Sequence, residues 1–367
     1  MRPTMKAVTM REFGDTDVLR MEQLPTPSPA AGEVLIEVHS VSVNQTLDIA
    51  VRQGGYRTDL RFPVVLGTDP AGLIVATGDG VPEARCGERV SVVASIRCGD
   101  CRFCRMGRED SCPRSRHLGL DRWGGYAEYV TVPVENVFPV PDSLSFAEAS
   151  VITRHFPTAI NLLLNHAKLE QGEWVLIMGA AGALGSCGVQ IARHQGARVI
   201  AAAGADSRAT AARDYGAEFT VNYRRQDLEQ EVLRITDGHG VDVLFENIAD
   251  PTLWPGAFNS LAFAGRLVTA GAHGGGTVPL DVKRLYLRRI RITGQPGATR
   301  KDVELALSLA GRRAVRAIID RTMPLEDVKE AHELLERGGI IGKIVLDPTL
   351  GQEAGPLPRL VPYRQNR

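Results

Sequence analysis

The stretch that constrains this chain most is Trp174-Val175-Leu176-Ile177-Met178-Gly179-Ala180-Ala181-Gly182-Ala183-Leu184-Gly185. Its first half is a short apolar run of the kind a buried parallel strand needs. Its second half sets glycines at 179, 182 and 185. An amphipathic helix follows, with Val189, Ile191 and Ala192 expected on one face and Gln190, Arg193 and His194 on the other. Strand, glycine turn and helix can cradle a dinucleotide pyrophosphate. Small residues let the backbone approach, and free N–H groups at the helix start point at the anion. Gly179, Ala180, Gly182, Ala183, Leu184 and Gly185 are therefore candidate cofactor contacts. Glycines in such a turn also serve packing alone, so the flanking sequence has to decide. A second apolar run, 198–203, comes at βαβ distance, and further runs follow at 241–246 and 266–271. Strands alternating with helices over this length predict a doubly wound parallel sheet of the α/β class.

A chain of 367 residues has room for two domains. Basic and acidic residues number 43 each, so no net charge favours nucleic acid or a membrane surface. The basic cluster Lys283, Arg284, Arg288, Arg289 and Arg291 reads as a solvated face or an interface rim. No stretch of about 18 apolar residues occurs and the N-terminus has no signal-peptide pattern, so a cytoplasmic protein is the expectation.

Residues 1–40 read as strands and turns, with 7–10 and 18–21 flanking Gly14-Asp15 and an extended connection through Pro25, Pro27 and Pro29. Segment 32–38 alternates as a half-buried strand does. Residues 44–52 suggest a short helix, and 64–75 read as strand, turn, strand. Such glycine-punctuated strands predict a small, mainly β N-terminal domain, closed by a strand near 129–132. A helix from about Phe146 should be kinked or restarted at Pro157. Helices are also expected at 303–309 and 325–337, with a last strand at 341–346 and a loosely held proline-containing tail from Asp347.

Cys98, Cys101, Cys104 and Cys112 follow the spacing C-x2-C-x2-C-x7-C. Four thiolates so placed can close on one tetrahedral zinc. Chance-packed thiols or two disulfides are the other readings, and a reducing compartment disfavours the latter. With every ligand a cysteine, no position is left for water or substrate, so such a zinc is structural. Cys86 and Cys187 read as ordinary packed thiols.

In order along the chain come Gly32-Glu33-Val34, Leu66-Gly67-x-x-x-Ala71-Gly72, the four-cysteine lobe, Gly124-Gly125-Tyr126-Ala127-Glu128, the turn at 179–185 and Gly342-Lys343-Ile344-Val345. With these features the chain resembles the medium-chain dehydrogenase/reductase superfamily, the zinc-containing alcohol dehydrogenase-like proteins, over nearly its whole length. The resemblance implies a GroES-like β catalytic domain plus a Rossmann cofactor domain. It places the catalytic domain at 1–155, with a zinc lobe at about 97–113, the Rossmann domain at 156–298, and a return to the catalytic domain at 299–367. The active site is then the cleft between them.

Family alcohol dehydrogenases hold a catalytic zinc with Cys, His and a third Cys or Glu. The cysteine position falls here at Asn44 or Gln45, the His-Glu pair at Thr68-Asp69, and the third ligand on or next to Arg154. Amides and hydroxyls are poor zinc ligands, and a guanidinium repels the ion. Structural zinc without catalytic zinc resembles the quinone-oxidoreductase and enoyl-reductase branch. Alcohol oxidation leans on a Lewis acid. Hydride transfer to a C=C bond conjugated to a carbonyl, or to a quinone, needs only hydrogen-bond donors at the oxygen that gains charge. Tyr56, Arg154 and His155 are candidate donors, with His155 the preferred proton source near neutral pH. Asn44, Asp48 and Asp69 complete the candidate catalytic set, Asn44 to orient substrate. Bland roles stand beside these: Tyr56 as a packed turn residue, Arg154 as an ion-pair partner of Asp48 or Asp69.

The resemblance sets Thr158 beside the nicotinamide, Tyr223 on the adenosine side and Lys343 among the cofactor residues. Asn247, Gly271 and Ala272 stand at strand ends, where an α/β crevice takes its ligand. The second strand ends in Ala203, where NAD-preferring sites carry a carboxylate, and Ser207 and Arg208 follow. A 2′-phosphate is admitted there and can be bound, so NADP(H) is expected, with Asp206 a mild counter-indication. The expected protein is an NADP(H)-dependent reductase of an activated C=C bond or a quinone, with one structural Zn2+. It takes a small-molecule substrate and forms a homodimer or homotetramer through the edge strand near 289–292, with no nucleic-acid or membrane partner. An alcohol or aldehyde dehydrogenase is the alternative, and a non-catalytic NADPH-binding protein the third reading.

Overall fold

The computed structural model describes residues 2–351. The carboxyl-terminal part of the tail expected from Asp347 lies outside the described residues.

Three of the four sheets among the described residues organise the molecule. The largest parallel one has the order Phe219–Asn222, Arg198–Ala203, Trp174–Met178, Val241–Glu246, Leu261–Thr269, Arg291–Gly294, all neighbours parallel. In chain order this is 3-2-1-4-5-6, the doubly wound arrangement expected. The order reverses between Trp174–Met178 and Val241–Glu246, and the carboxyl ends of those two strands open the crevice where such sheets bind ligands. Val175, Leu176, Ile177, Val243, Leu244 and Phe245 are buried, as strands covered on both faces require.

The second sheet is mainly antiparallel and joins the two ends of the chain. Glu33–Ser42 pairs with Ala71–Thr77 and Tyr129–Pro133, and then with Lys343–Asp347. The smaller third sheet pairs Thr4–Met10 with Arg20–Pro25 and Val64–Val65. The long helix Phe146–Ile160 packs against both the β region and the helix Ala183–His194, bridging the two halves. A capping box at Ser145 and Glu148 starts it, satisfying donors that the first turn would otherwise expose.

Several local expectations need correction. Pro157 neither starts nor breaks the helix. It sits inside it, and the coil widens into a π-helical turn, Asn161–His166, just beyond. Gln190 is buried, not solvent-facing, because its amide donates to the Arg316 carbonyl and accepts from the Arg316 N–H. Residues 18–21 are not one strand. A 3-10 turn covers Thr16–Val18, and the strand Arg20–Pro25 runs on into the prolines. The short strand Phe219–Asn222 escaped sequence reading because only Val221 and Asn222 of its four residues are buried. Among the described residues no helix is long and apolar enough to cross a membrane.

Ser145→Ala removes one side of the capping box and should lower unfolding free energy by about 1 kcal/mol in chemical denaturation. An unchanged midpoint would mean that the cap contributes nothing to the bridging helix.

Candidate active site

The cysteine lobe folds around two glycines in the left-handed region, Gly99 (φ +74°) and Gly107 (φ +69°). All four sulfurs lie within 4.8 Å of one another. Cys98 Sγ is 3.9 Å from Cys104 Sγ and 3.5 Å from Cys112 Sγ, and Cys101 Sγ is 3.9 Å from Cys112 Sγ. A tetrahedral zinc with bonds of about 2.3 Å needs sulfurs about 3.8 Å apart, so the donor set fits that ion. No disulfide links them. The lobe is tied to the cofactor side through Asp110, whose carboxylate accepts from Asn161 Nδ2 and Gln295 Nε2.

The glycine turn has the required shape. Gly179 takes φ +63°, and a Cβ on Gly185 would stand 2.2 Å from the Gly179 carbonyl oxygen. No side chain caps the helix Ala183–His194, leaving its first N–H groups for an anion. Across the crevice, Asn247 is buried and donates to the Met178 carbonyl, while its Oδ1 has no partner. An unpartnered buried acceptor at this switch point suits a ligand hydrogen-bond donor. A Cβ on Gly271 would lie 2.6 Å from the Asn247 carbonyl oxygen, so Gly271 and Ala272 pass close beside it.

At the far end of the crevice, a Cβ on Gly204 would meet Tyr223 Oη at 2.9 Å. Burial raises the Tyr223 hydroxyl above its ordinary value, opposed by Arg224 and Arg208 close by. Asp206 accepts from Asn222 Nδ2 at 2.6 Å and pairs with Arg225, so its charge is already engaged. Ser207 and Arg208 are exposed, and among the described residues Arg208 has no ion-pair partner. The counter-indication from Asp206 is thereby weakened.

The third region gathers Asn44, Asp48, Thr68, Asp69 and Lys343, all buried. Asn44 Nδ2 donates to Asp48 Oδ2 (3.1 Å) and Asp69 Oδ2 (3.2 Å), with Thr68 Oγ1 at 3.5 Å. Its Oδ1 accepts from Lys343 Nζ at 2.6 Å. Asp48 also accepts from the backbone N–H of Asn44 and Gly67, and Asp69 from the N–H and hydroxyl of Ser42. Both aspartates thus shape loops, and neither is presented for metal binding. Burial, then the Asp69 charge, pushes Asp48 up to about 6.

Several site expectations change here. Arg154 forms no ion pair with Asp48 or Asp69, and its buried Nε has no partner. His155 is a poor proton source near neutral pH. Burial, then Arg154, Lys343 and His273, hold its imidazole well below the ordinary value, so it stays neutral. Tyr56 is 54% exposed, without a hydrogen bond into the cluster. Thr158 is nearly buried, its hydroxyl 3.5 Å from the Pro296 carbonyl, in the wall where the lobe and the cofactor side meet. Lys343, expected among the cofactor residues, donates here to Asn44 Oδ1 and to the Val43 carbonyl. A lone lysine in an apolar strand was the signal available. Tyr126 and His332, which hydrogen-bond at 3.2 Å behind Asp48, were missed, since His332 reads as one polar residue of an amphipathic helix.

A family model for the alcohol dehydrogenase GroES-like domain matches residues 30–142, and one for zinc-binding dehydrogenases matches 183–312. An NAD-dependent alcohol dehydrogenase of Sulfolobus acidocaldarius is 32% identical over 94% of this chain and 100% of its own. The crystal structure of an NAD-dependent alcohol dehydrogenase superposes with a TM-score of 0.88 at 34% identity, covering 94% of this chain and 99% of that one. An acryloyl-coenzyme A reductase of Metallosphaera sedula is 28% identical over 93% of this chain and 99% of its own. The chain belongs to the zinc-type alcohol dehydrogenase-like medium-chain dehydrogenase/reductase superfamily. It is an oxidoreductase of that superfamily, which uses a nicotinamide cofactor.

Because folding lowers the His155 value, the unfolded chain binds a proton there that the folded one refuses. This contribution to stability is present above about pH 6.5 and declines as pH falls below it. His155→Gln should flatten the stability profile between pH 7 and pH 5 and leave the pH dependence of hydride transfer between 6 and 8 unchanged. Loss of an inflection near pH 6.5 in that rate would contradict a neutral imidazole.

Proposed function

We propose that this protein transfers hydride between NADP(H) and an activated C=C bond or a quinone, with no metal at the reacting centre and one structural zinc in the cysteine lobe. The observation that carries this reading is the state of Asn44. Its amide is engaged on both sides, with Asp48 and Asp69 on the nitrogen and the Lys343 ammonium on the oxygen. By the family resemblance the other two catalytic-zinc positions fall at Thr68-Asp69 and on or next to Arg154. Among the described residues the one group of three or more metal-ligating side chains is the cysteine cluster.

The bound nicotinamide would supply the hydride. The chain's part is to hold and shield it. The N–H groups at Ala183, Leu184 and Gly185 would hold the pyrophosphate, Asn247 Oδ1 would accept from a cofactor donor, and Thr158 would flank the nicotinamide. Ser207 and Arg208, backed by Tyr223, take the 2′-phosphate. This reading keeps the cofactor unit at 156–298 and the catalytic pieces at 1–155 and 299–367. It also includes self-association at the edge strand Arg291–Gly294, where Phe263, Val282, Tyr286, Leu287 and Ile292 leave an exposed apolar surface.

A second reading has its own support. The relatives that are 32% and 34% identical carry the name NAD-dependent alcohol dehydrogenase, which favours a carbonyl or alcohol substrate and NAD(H). The name acryloyl-coenzyme A reductase, on a relative 28% identical, agrees with C=C reduction.

A panel of enones, quinones, ketones and aldehydes with NADPH and NADH separates the readings. Faster turnover of enones or quinones, with NADPH preferred, is expected. Turnover confined to ketones and aldehydes would overturn the C=C assignment, and binding without any turnover would leave a cofactor-binding protein. Arg208→Ala should weaken NADPH binding about tenfold and leave NADH binding unchanged, read by nucleotide fluorescence. An equal loss for both nucleotides would contradict the 2′-phosphate role.

A further inference from the structure

A cavity of about 470 Å³ opens in the β domain between two loops, 57–64 and 116–123. Arg57 and Asp121 pin the loops together. The Arg57 guanidinium donates from Nη1 to Asp121 Oδ1 and from Nε to Asp59 Oδ1, both at 2.9 Å. Asp121 Oδ2 in turn accepts from the His117 N–H at 2.7 Å. At the other end Trp123 Nε1 donates to the Pro63 carbonyl at 3.2 Å. Bonds between and within the loops thus fix the walls of the cavity.

The charges around it are unequal. Four arginines line it against two aspartates, and Arg57 engages both of those. Arg122 is held by Glu33, outside the cavity. Arg61 and Arg116 remain. Both are exposed, and among the described residues neither makes an ion pair or a side-chain hydrogen bond. Two solvated arginines on a convex surface would need no explanation. These two stand over a concavity that Leu60, Leu120 and Trp123 also line, and low-dielectric walls strengthen the pull of a guanidinium on an anion. Two planar donor forks beside an apolar wall match an organic carboxylate or phosphate.

The cavity adjoins the Asn44 cluster. A Cβ on Gly119 would stand 3.2 Å from Thr68 Cγ2 and 3.3 Å from the Gly67 carbonyl oxygen, and Thr68 Oγ1 is 3.5 Å from Asn44 Nδ2. The His117 imidazole is lowered by burial and then by Arg154 of the bridging helix, while Asp121 of the cavity rim opposes them. It therefore feels the cleft wall and the cavity together. The lining residues all fall between 57 and 123, and none belongs to the parallel-sheet unit. An anion bound here is accordingly part of the substrate and not a phosphate of the cofactor.

We propose that this cavity is a subsite for the hydride acceptor, in which Arg61 and Arg116 hold a carboxylate or phosphate at the end of the molecule remote from the reacting carbon. The substrate class is then an anionic acceptor. This rests on the hydride-transfer reading above and holds for an enone, a quinone or a simple carbonyl compound. Because the anion lies away from the atoms that change charge, it is bound alike in the ground and transition states, so its gain falls on KM.

The test gives the full-length protein enones and ketones of equal chain length, ended by a neutral amide, a carboxylate or a phosphate, and compares wild type with Arg61→Ala, Arg116→Ala and the double variant. The expected result is a wild-type kcat/KM about tenfold or more higher for an anionic end than for the amide, carried by KM and shrinking as salt rises. The double variant should bring that ratio to within about twofold of one, with each single variant between. The arm with the larger gain tells carboxylate from phosphate. A wild-type ratio near one for both anions, or a ratio that survives in the double variant, would overturn the proposal. Nucleotide fluorescence checks that each variant is folded, and if the double variant is not, the single variants decide on the same ratio. If ketones are reduced and enones are not, the C=C assignment fails while the end-group ratio still tests the cavity. If the wild type reduces neither, the hydride-transfer reading fails, and calorimetry with the saturated carboxylate and phosphate decides. Binding about tenfold weaker in the variants would keep the subsite, and equal binding or none would overturn it.

Discussion

A strand near the end of this chain pairs with one near its beginning, and the rest of the active cleft depends on that pairing. Val345 stands opposite Ser42 and Leu346 opposite Val41 in the antiparallel ladder. The register carries Lys343 to the loop after Ser42, where its ammonium meets Val43 and Asn44. Three charged side chains, Asp48, Asp69 and Lys343, are thereby buried together at the floor of the cleft. Such a cluster is expensive to desolvate and holds only where its hydrogen bonds are nearly complete. Asp48 and Asp69 meet this with backbone N–H groups, the Ser42 hydroxyl and the Asn44 amide. The cluster fixes one arrangement of the loop that follows the strand Glu33–Ser42.

The parallel sheet is the other rigid part, and it sets where a cofactor can lie. Its order reverses between the first and fourth strands, so the glycine turn after Met178 and Asn247 after Glu246 face each other. The bridging helix Phe146–Ile160 then brings Arg154, His155 and Thr158 against both halves. Electrostatics along this wall favour neutral histidines: His155, His117 and His273 are all lowered, burial being the leading cause.

Much of this was legible in the sequence, for physical reasons. Buried parallel strands must be apolar, and four cysteines on one metal need fixed spacing. The glycine turn, the sheet and the sulfur cluster follow from local pattern alone. What was not legible depends on long-range register. Lys343 and Asn44 are joined by a strand pairing across almost the whole chain, so no local window shows them as partners. Gln190 and His332 were misjudged or missed for a related reason. Helical periodicity assigns a polar residue to the solvent face, but it cannot see a partner such as the Arg316 backbone or Tyr126 that makes burial affordable. Phe219–Asn222 was too short, with only half of its residues buried, to signal a strand.

We propose that this member of the superfamily works without a metal at its reaction centre. Zinc content per chain, by elemental analysis of the purified protein and of a Cys104→Ser, Cys112→Ser variant, tests it most directly. The account predicts about one zinc in the wild type and essentially none in the variant. Two zinc ions per chain, or one that survives loss of the cysteines, would place a metal in the Asn44 region and contradict it.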